Sequence, residues 1–163
     1  MTKRIKSLLM ALSIVFSSSS VWAGDFEDGM VAYEKKDFGT AFKKFNMAAS
    51  QHKSKAQFYV GYMYDSGQGV VQDYAEAARW YRLAAAQGDS DAQWYLGNMY
   101  FSGQGILQNY TMAHKWFNLS AINGDSDAIQ LRNAVAAKMT PQQIAEAQKL
   151  ARECQARNFK NCD

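Results

Sequence analysis

The residues best suited to covalent or metal chemistry are two cysteines, two histidines and two glycine-rich segments. Cys154 and Cys162 are eight positions apart, so an unbroken helix would separate their Cα atoms by about 12 Å. Because a disulfide joins Cα atoms within about 7 Å, a bond requires the chain to turn back near Asn158 or Phe159. We expect a structural disulfide, with free thiols as the alternative. A catalytic cysteine is disfavoured because no histidine partner can be placed beside either residue.

The histidines and the glycine-rich segments have simpler interpretations. Neither His52 nor His114 has acids or cysteines at the spacing of metal ligands, so we predict surface or interhelix positions and no metal site. The Ser-Gly-Gln-Gly segments at 66–69 and 102–105 lack the following Lys-Ser/Thr and the preceding strand of a phosphate-binding loop. Their recurrence favours turns. With no recognisable catalytic constellation, the sequence predicts neither an enzyme nor a cofactor site.

The elements that position these residues repeat along the chain. Residues 56–91 align without a gap on 92–127, and 20 of the 36 aligned pairs are identical. A fixed period of this length is typical of stacked repeat architectures. The identical pairs include Tyr59/Tyr95, Gly61/Gly97, Tyr64/Tyr100, Ala77/Ala113 and Trp80/Trp116.

Each unit is predicted to be a helical hairpin. Apolar and small residues at spacings of three and four define the first helix, and the glycine-rich segment ends it. Asp73, with Glu76 three positions later, has the pattern of a capping box at the start of the second helix. We expect Gly61 to permit close helix approach while Trp80 fills the adjacent space, and we predict that Trp80 and Trp116 are both buried in the core. The apolar stripe of the second helix comprises Tyr74, Ala77, Trp80 or Tyr81, and Ala84.

Weaker units flank the two copies, because one hairpin cannot bury its apolar stripe alone. Residues 24–55 have the same order of apolar positions with a shorter connection, and we predict a degenerate tetratricopeptide-like repeat there. Residues 128–163 are predicted to form capping helices with the cysteine pair, one over 128–138 and one from Thr140-Pro141 to about Arg157. The predicted fold is all-α, with about four antiparallel helix pairs.

The first 23 residues have the pattern of a secretory signal peptide. Three basic residues precede an apolar run over 8–16, a serine stretch, and Val21-Trp22-Ala23, which predicts cleavage after Ala23. The apolar run is about half the ~20 residues needed to cross a bilayer, so we expect no stable membrane insertion after cleavage. An N-terminal anchor is the alternative. The predicted location is periplasmic or secreted.

Charge argues against a nucleic-acid partner. Three of the 18 basic residues and none of the 15 acidic residues lie in the first 23 positions, so the remaining chain has zero net charge. Proteins that bind nucleic acids need an excess of Lys and Arg to neutralise phosphates. We therefore predict a protein or peptide partner and no nucleic acid.

The repeated residues resemble the Sel-one-like repeat, a relative of the tetratricopeptide repeat. The resemblance rests on Ala-x-x-x-Leu/Val-Gly-x-x-Tyr, a Gly-x-Gly loop, Asp/Asn-Tyr-x-x-Ala-x-x-Trp and a closing Gly-Asp, over positions 56–127. It implies a right-handed superhelical solenoid that acts as an adaptor or regulator in protein complexes. Exported bacterial relatives are often tied to envelope processes or host contact. An exported group bonds cysteines eight residues apart, a spacing similar to that of Cys154 and Cys162.

Residues on the other face of the first helices mostly differ between the two copies, and in this architecture that face lines a concave groove. We predict that the groove binds a peptide or helix of a partner, because rigid aromatic side chains contribute much binding energy. The alternative is extra packing between neighbouring helices. The predicted groove residues are Phe58, Tyr62, Asp65, Trp94, Asn98 and Phe101.

The predicted function is therefore that of an exported adaptor in a bacterial envelope or host-contact process. A peptidoglycan-related enzyme, or a regulator of cell-wall enzymes, is the alternative, and it would entail cell-wall association. A third interpretation is a purely structural part of an envelope assembly. Co-purification from envelope extracts would distinguish the three. Discrete protein partners would favour the adaptor, murein fragments the peptidoglycan-related alternative, and a stoichiometric assembly the structural role.

Overall fold

A computed structural model describes residues 19–162, and within this range the chain forms α-helices and no strand. The predicted signal peptide, residues 1–23, lies outside the described residues except for the backbone of 19–23. None of the helices in the described range is long and apolar enough to cross a membrane. The helices are α1 (Ser19–Glu34), α2 (Phe38–Ala49), α3 (Ser54–Ser66), α4 (Tyr74–Ala85), α5 (Ser90–Ser102), α6 (Tyr110–Ser120), α7 (Ser126–Ala136) and α8 (Pro141–Ala156).

Consecutive helices pack as hairpins, and the hairpins stack. The pairs α1–α2, α3–α4 and α5–α6 form three hairpins, and α2–α3, α4–α5 and α6–α7 provide the contacts between them. The predicted all-α solenoid is confirmed. The final pair differs from the others, because α7 and α8 both make their main contacts with α6. The last helix thus covers the stack from the side of the second helices.

Polar side chains cap the helices, but the box predicted for Asp73 and Glu76 is wrong in its second half, because the Asp73 N–H donates to the Tyr64 carbonyl and Glu76 pairs with Arg79. Asp73 accepts hydrogen bonds from the backbone N–H groups of Ala75 and Glu76 at the start of α4. Thr140 and Gln143 form a reciprocal capping box at the start of α8. Since an N-cap of this kind stabilises a helix by about 1 kcal/mol, the boundaries are encoded locally.

The Ser-Gly-Gln-Gly segments are turns, and each one also joins neighbouring repeats. Gly67 ends α3 with a left-handed backbone conformation. Two residues later, a Cβ on Gly69 would overlap the carbonyl group of Phe38 at the start of α2. In the next repeat, a Cβ on Gly105 would overlap the carbonyl group of Tyr74 at the start of α4. The second glycine therefore lets each loop rest on the preceding hairpin.

Glycine also allows the two helices of each hairpin to approach. A Cβ on Gly61 would lie 2.8 Å from the ring of Tyr81, and one on Gly97 would lie 2.8 Å from the ring of Phe117. The predicted role of Gly61 is confirmed, but the aromatic ring against it belongs to Tyr81 and not to Trp80. The helical rotation places position 81, rather than position 80, towards the partner helix.

The two aligned tryptophans occupy different environments. Trp116 is 1% exposed and is part of the main core, as predicted. Trp80 is only half-buried at the edge of the N-terminal core, with the Arg79 guanidinium 4.7 Å from its ring centroid. The prediction that Trp80 is a core residue equal to Trp116 is therefore wrong, because α8 covers the later hairpin on this side.

Candidate functional site

The first three predicted groove residues lie together in a cluster of hydroxyl and carboxyl groups that we call the Asp65 site. The carboxylate of Asp65 accepts a hydrogen bond from the Tyr81 hydroxyl at 3.2 Å. The Tyr62 and Tyr95 rings meet at 89° with centroids 5.8 Å apart. The Asp65 site comprises Tyr33 of α1, Phe58, Tyr62 and Asp65 of α3, Tyr81 of α4, and Tyr95 of α5.

Members of the Asp65 site differ in accessibility. Phe58 is 9% exposed, and its ring lies 5.8 Å from that of Tyr81 and 5.5 Å from that of Tyr95. Tyr62, Asp65 and Tyr95 are half-buried, so part of each side chain reaches the surface. Phe58 therefore supports the surface from beneath, whereas the other three line it.

Burial changes the acidity of the groups in this cluster. Desolvation raises the pKa of Asp65, and only the Tyr81 hydrogen bond acts in the opposite direction. Burial, followed by the proximity of Asp65, strongly raises the pKa of Tyr81. Desolvation and the neighbouring Tyr62 raise the pKa of both Tyr33 and Tyr95. Tyr33, Tyr81 and Tyr95 thus stay protonated at neutral pH, and Asp65 is the acidic group of the site.

The other three predicted groove residues lie one repeat later, in a separate cluster that we call the Phe101 site. The Phe101 ring lies 5.7 Å from Tyr110, and the Trp94 ring lies 5.0 Å from Tyr95. Asn98 donates a hydrogen bond to the Trp94 carbonyl at 3.0 Å. The Phe101 site comprises Trp94, Asn98, Phe101, Phe117 and Leu131.

The two sites occupy equivalent positions of the repeat. Each residue of the Phe101 site is 36 positions after its counterpart in the Asp65 site. The predicted six-residue groove is thus two adjacent sites of different polarity, which meet where Trp94 contacts Tyr95. The aligned pairs are Phe58/Trp94, Tyr62/Asn98, Asp65/Phe101, Tyr81/Phe117 and Tyr95/Leu131.

Sequence reasoning missed three members of the Asp65 site: Tyr33, Tyr81 and Tyr95. Tyr95 is identical to Tyr59 in the alignment, so it counted as part of the shared scaffold. Tyr33 lies in the degenerate first unit, where the period is interrupted by a shorter connection. The signal that could have found Tyr81 is its aligned partner Phe117, because a hydroxyl added at a buried position needs a hydrogen-bond acceptor.

Comparison with known proteins identifies the repeated scaffold. The sequence profile of the Sel1 repeat matches residues 54–89 and 90–125. The protein contains two Sel1 repeats. Both have the 36-residue period of the sequence, and each begins two positions before the boundary predicted at 56 or 92.

Solved structures with the same architecture are themselves Sel1 repeat proteins. c5321, a protective antigen of uropathogenic Escherichia coli with an SLR fold, is similar with 28% identity and a TM-score of 0.78, over 85% of this chain and 31% of c5321. The chain therefore spans about a third of the length of c5321. A Sel1 repeat protein from Oxalobacter formigenes has 28% identity and a TM-score of 0.64, over 71% of this chain and 90% of its own.

A third similar structure, Helicobacter pylori cysteine rich protein B, has 20% identity and a TM-score of 0.55. The alignment covers 71% of this chain and 98% of that protein. At this identity the similarity shows the fold alone. No curated protein sequence matches the chain.

The disulfide lies outside the two Sel1 repeats. Cys154 at the end of α8 is bonded to Cys162, with their Cα atoms 5.1 Å apart. The chain turns back between them through Asn158, Phe159 and Asn161, which all have positive φ. The predicted disulfide and the predicted turn are both confirmed.

The turn closed by the Cys154–Cys162 disulfide contacts the junction between the Sel1 repeats. A Cβ on Gly88, in the turn that ends the first repeat, would lie 3.1 Å from the Phe159 ring. The equivalent Gly124, after the second repeat, has open space at the same position. The C-terminal turn therefore packs on one repeat boundary and leaves the other open.

The two histidines lie apart from both sites. His52 is exposed in a turn with positive φ. His114 is 3% exposed on α6, and burial, followed by the proximity of Arg132, lowers its pKa. Among residues 19–162 there is no group of three or more His, Cys, Asp or Glu side chains that could hold a metal ion.

Proposed function

We propose that this protein is an exported adaptor that binds a protein or peptide partner through the concave face of its first helices. Sel1 repeats form helical scaffolds typical of protein–protein interaction, and this chain has two of them. The carrying observation is that the scaffold positions are shared between the repeats, while the half-buried groove positions differ. The residues proposed to contact the partner are Tyr62, Asp65, Trp94, Asn98 and Phe101, with Phe58 supporting them.

Two observations support export. The bond between Cys154 and Cys162 is typical of oxidising compartments, since cytosolic thiols are kept reduced. The similar protein c5321 is a protective antigen of uropathogenic Escherichia coli. Together with the signal-peptide pattern, these features lead us to propose a periplasmic or secreted protein cleaved after Ala23. Sequencing the N-terminus of the protein recovered from its native cell should give Gly24 as the first residue.

We propose no catalytic role. Catalysis by general acid and base requires two titrating groups close to a substrate, with pKa values near the working pH. The Asp65 site supplies one carboxylate, and the pKa values of Tyr33, Tyr81 and Tyr95 are raised further from neutrality. A binding surface uses such groups in their resting protonation states.

The test is partner capture in the native envelope. A photo-crosslinking residue replaces Asn98, a half-buried member of the Phe101 site, and a C-terminal tag recovers the products for mass spectrometry. We expect one or a few discrete proteins. The double change Tyr62→Ala and Phe101→Ala should abolish capture, whereas Leu107→Ala, at a 90% exposed loop position outside the groove, should leave it intact.

The alternatives give different results in the same experiment. Murein fragments would favour the peptidoglycan-related alternative, and a stoichiometric assembly would favour the structural one. If the Tyr62→Ala, Phe101→Ala variant melts far below the wild-type protein and captures partners normally when folded, these residues serve packing and the groove proposal is wrong. Thermal melting of each variant therefore accompanies the capture.

A further inference from the structure

Asp65 is a carboxylate without a cationic partner among the described residues. Its one side-chain hydrogen bond there comes from the Tyr81 hydroxyl at 3.2 Å, and no basic side chain of residues 19–162 forms an ion pair with it. Burying a charged group is unfavourable unless it is paired and hydrogen-bonded. The site therefore bears a desolvation cost that a bound cation would offset.

The groups around Asp65 also suit a cation. The half-buried Tyr62 and Tyr95 rings pack edge to face beside Asp65, with centroids 5.8 Å apart. Aromatic ring faces attract ammonium and guanidinium groups, and tyrosine oxygens accept hydrogen bonds from them. The Tyr33 hydroxyl lies beside Tyr62 and donates a hydrogen bond to Gln68 at 2.8 Å, which leaves its oxygen lone pairs as acceptors.

The Phe101 site shows that the fold does not require these polar groups. At the equivalent positions Asp65 is replaced by Phe101, Tyr81 by Phe117, and Tyr95 by Leu131. The helices pack in the same way in both repeats, with glycine against the ring at 81 or 117. Since the same hairpin geometry occurs without the carboxylate, packing alone does not explain Asp65.

We propose that the Asp65 site receives the side chain of a lysine or arginine in the partner, while the neighbouring Phe101 site receives an apolar side chain of the same segment. The proposal rests on the proposed function and adds the chemistry of the partner. Asp65 on α3 and Phe101 on α5 are one repeat apart, and since side chains of these two helices meet at Tyr95, we take the separation of the two anchors as about 10 Å. An extended peptide covers it with about three residues.

Sugars are the main competing ligand class, because they also stack on aromatic rings and hydrogen-bond to carboxylates. A neutral sugar would leave the Asp65 carboxylate without a counter-charge, whereas a cation supplies one. A carbohydrate is therefore an outcome of the test and not part of the proposal.

The test uses a displayed library of random linear 12-residue peptides as the probe. Selections are run against the full mature protein and two variants with the same change in charge. Asp65→Asn keeps the shape and an acceptor for Tyr81, whereas Asp28→Asn removes an exposed carboxylate of α1 that pairs with Lys44, which retains Asp25. Selected peptides are then synthesised, and their affinities are measured by calorimetry with and without N-acetylglucosamine oligomers as competitors.

The wild-type protein and Asp28→Asn should select peptides with a lysine or arginine at one position and an apolar residue about three positions away. Asp65→Asn should bind these peptides about tenfold more weakly, as expected for loss of one hydrogen-bonded charge. Equal affinity for Asp65→Asn, absence of a basic preference, or displacement by the sugar oligomers would each overturn the proposal. Circular dichroism confirms that each variant is folded.

The failures of the two proposals are distinguishable. If envelope capture depends on Tyr62 and Phe101 but the selected peptides show no basic residue, the groove binds a partner and the assignment of its chemistry is wrong. If neither capture nor selection depends on these residues, both proposals are wrong. Where a partner is captured, its affinity for the Asp65→Asn variant is an independent check, and we expect the same tenfold loss of affinity.

Discussion

The Asp65 and Phe101 sites occupy the same place in two consecutive repeats, but the first is polar and charged and the second is mostly apolar. The first has four tyrosines and a carboxylate, and the second has tryptophan, phenylalanine and leucine around one amide. The helices approach equally closely beneath them, because a Cβ added to Gly61 or to Gly97 would lie 2.8 Å from the facing ring. The difference teaches that this scaffold can change its surface chemistry while keeping its packing, because the shared positions hold the helices together and the variable ones determine what the surface presents.

The largest expected effect is at the shared tryptophan, which is buried in the second repeat and only half-buried in the first. Trp116→Ala should lower the free energy of unfolding by about 3–5 kcal/mol, because the side chain is almost fully buried. Trp80→Ala should cost about 1–2 kcal/mol, since Trp80 is only half-buried. Urea unfolding of both variants measures this. Equal losses of stability would contradict the conclusion that α8 buries Trp116 and leaves Trp80 partly exposed.

A second test concerns shared positions that should behave alike. Gly61→Ala and Gly97→Ala should each cost about 1–3 kcal/mol, because the new methyl group would overlap the ring of Tyr81 or Phe117. Denaturant unfolding of both variants should give similar losses. Combining Gly97→Ala with Phe117→Leu should recover part of the stability. A negligible effect in one repeat alone would contradict the equivalence of the two hairpins.

A third test uses the turn glycines Gly88 and Gly124, of which only Gly88 is covered by Phe159. Phe159→Ala should cost about 1–2 kcal/mol and should increase hydrogen exchange around the Gly88 turn, where the ring is removed. Exchange around Gly124 should not change. Reducing the Cys154–Cys162 bond should have the same local effect, because the bond holds the turn that presents the ring. Equal increases in hydrogen exchange at both turns would show that the disulfide stabilises the whole stack of helices and not only the Gly88 turn.

The smallest expected effect concerns the charge of Asp65. Burial raises the pKa of its carboxyl above the ordinary value of 3.8, so ionisation is less favourable in the folded state than in the unfolded state. Its contribution to stability is therefore greatest below pH 3.8 and is lost as the pH rises through the folded-state pKa. Asp65→Asn should stabilise the protein at pH 7 by about 0.5 kcal/mol or less, because the group is partly solvated.

The measurement is urea unfolding at pH 7 and at pH 3. Asp28→Asn is the matched control, since Asp28 is exposed and its removal should not produce a gain at pH 7. A marked loss of stability for Asp65→Asn at pH 7 would show that the carboxylate has a structural role. The argument for a cation-binding role would then be weaker.

Much of the fold was predictable because its signals are local or periodic. Helix caps such as Asp73 and Thr140 act within three residues, and the 36-residue period exposes the hairpin directly. The disulfide turn near Asn158 and Phe159 also followed from the reach of two cysteines eight positions apart. These inferences needed no knowledge of which helices meet.

The sites were less predictable because they depend on helix rotation and on contacts between repeats. To predict that Tyr81, and not Trp80, packs against Gly61, one must know which face of α4 is turned towards α3. Tyr33 joins the Asp65 site from a different hairpin, and Phe58 is withdrawn into the core. Contacts of this kind involve distant positions and leave no periodic signal in one sequence.

By itself, the sequence determined the repeat unit, the helix boundaries and the disulfide pair, because each depends on residues within a single period or turn. The tertiary structure alone decided that the six predicted groove residues form two sites, one charged and one apolar. It also decided which tryptophan is buried and which turn Phe159 covers. The physical reason is that stacking brings together side chains from different helices, and only their mutual packing establishes which are buried and which remain available for binding.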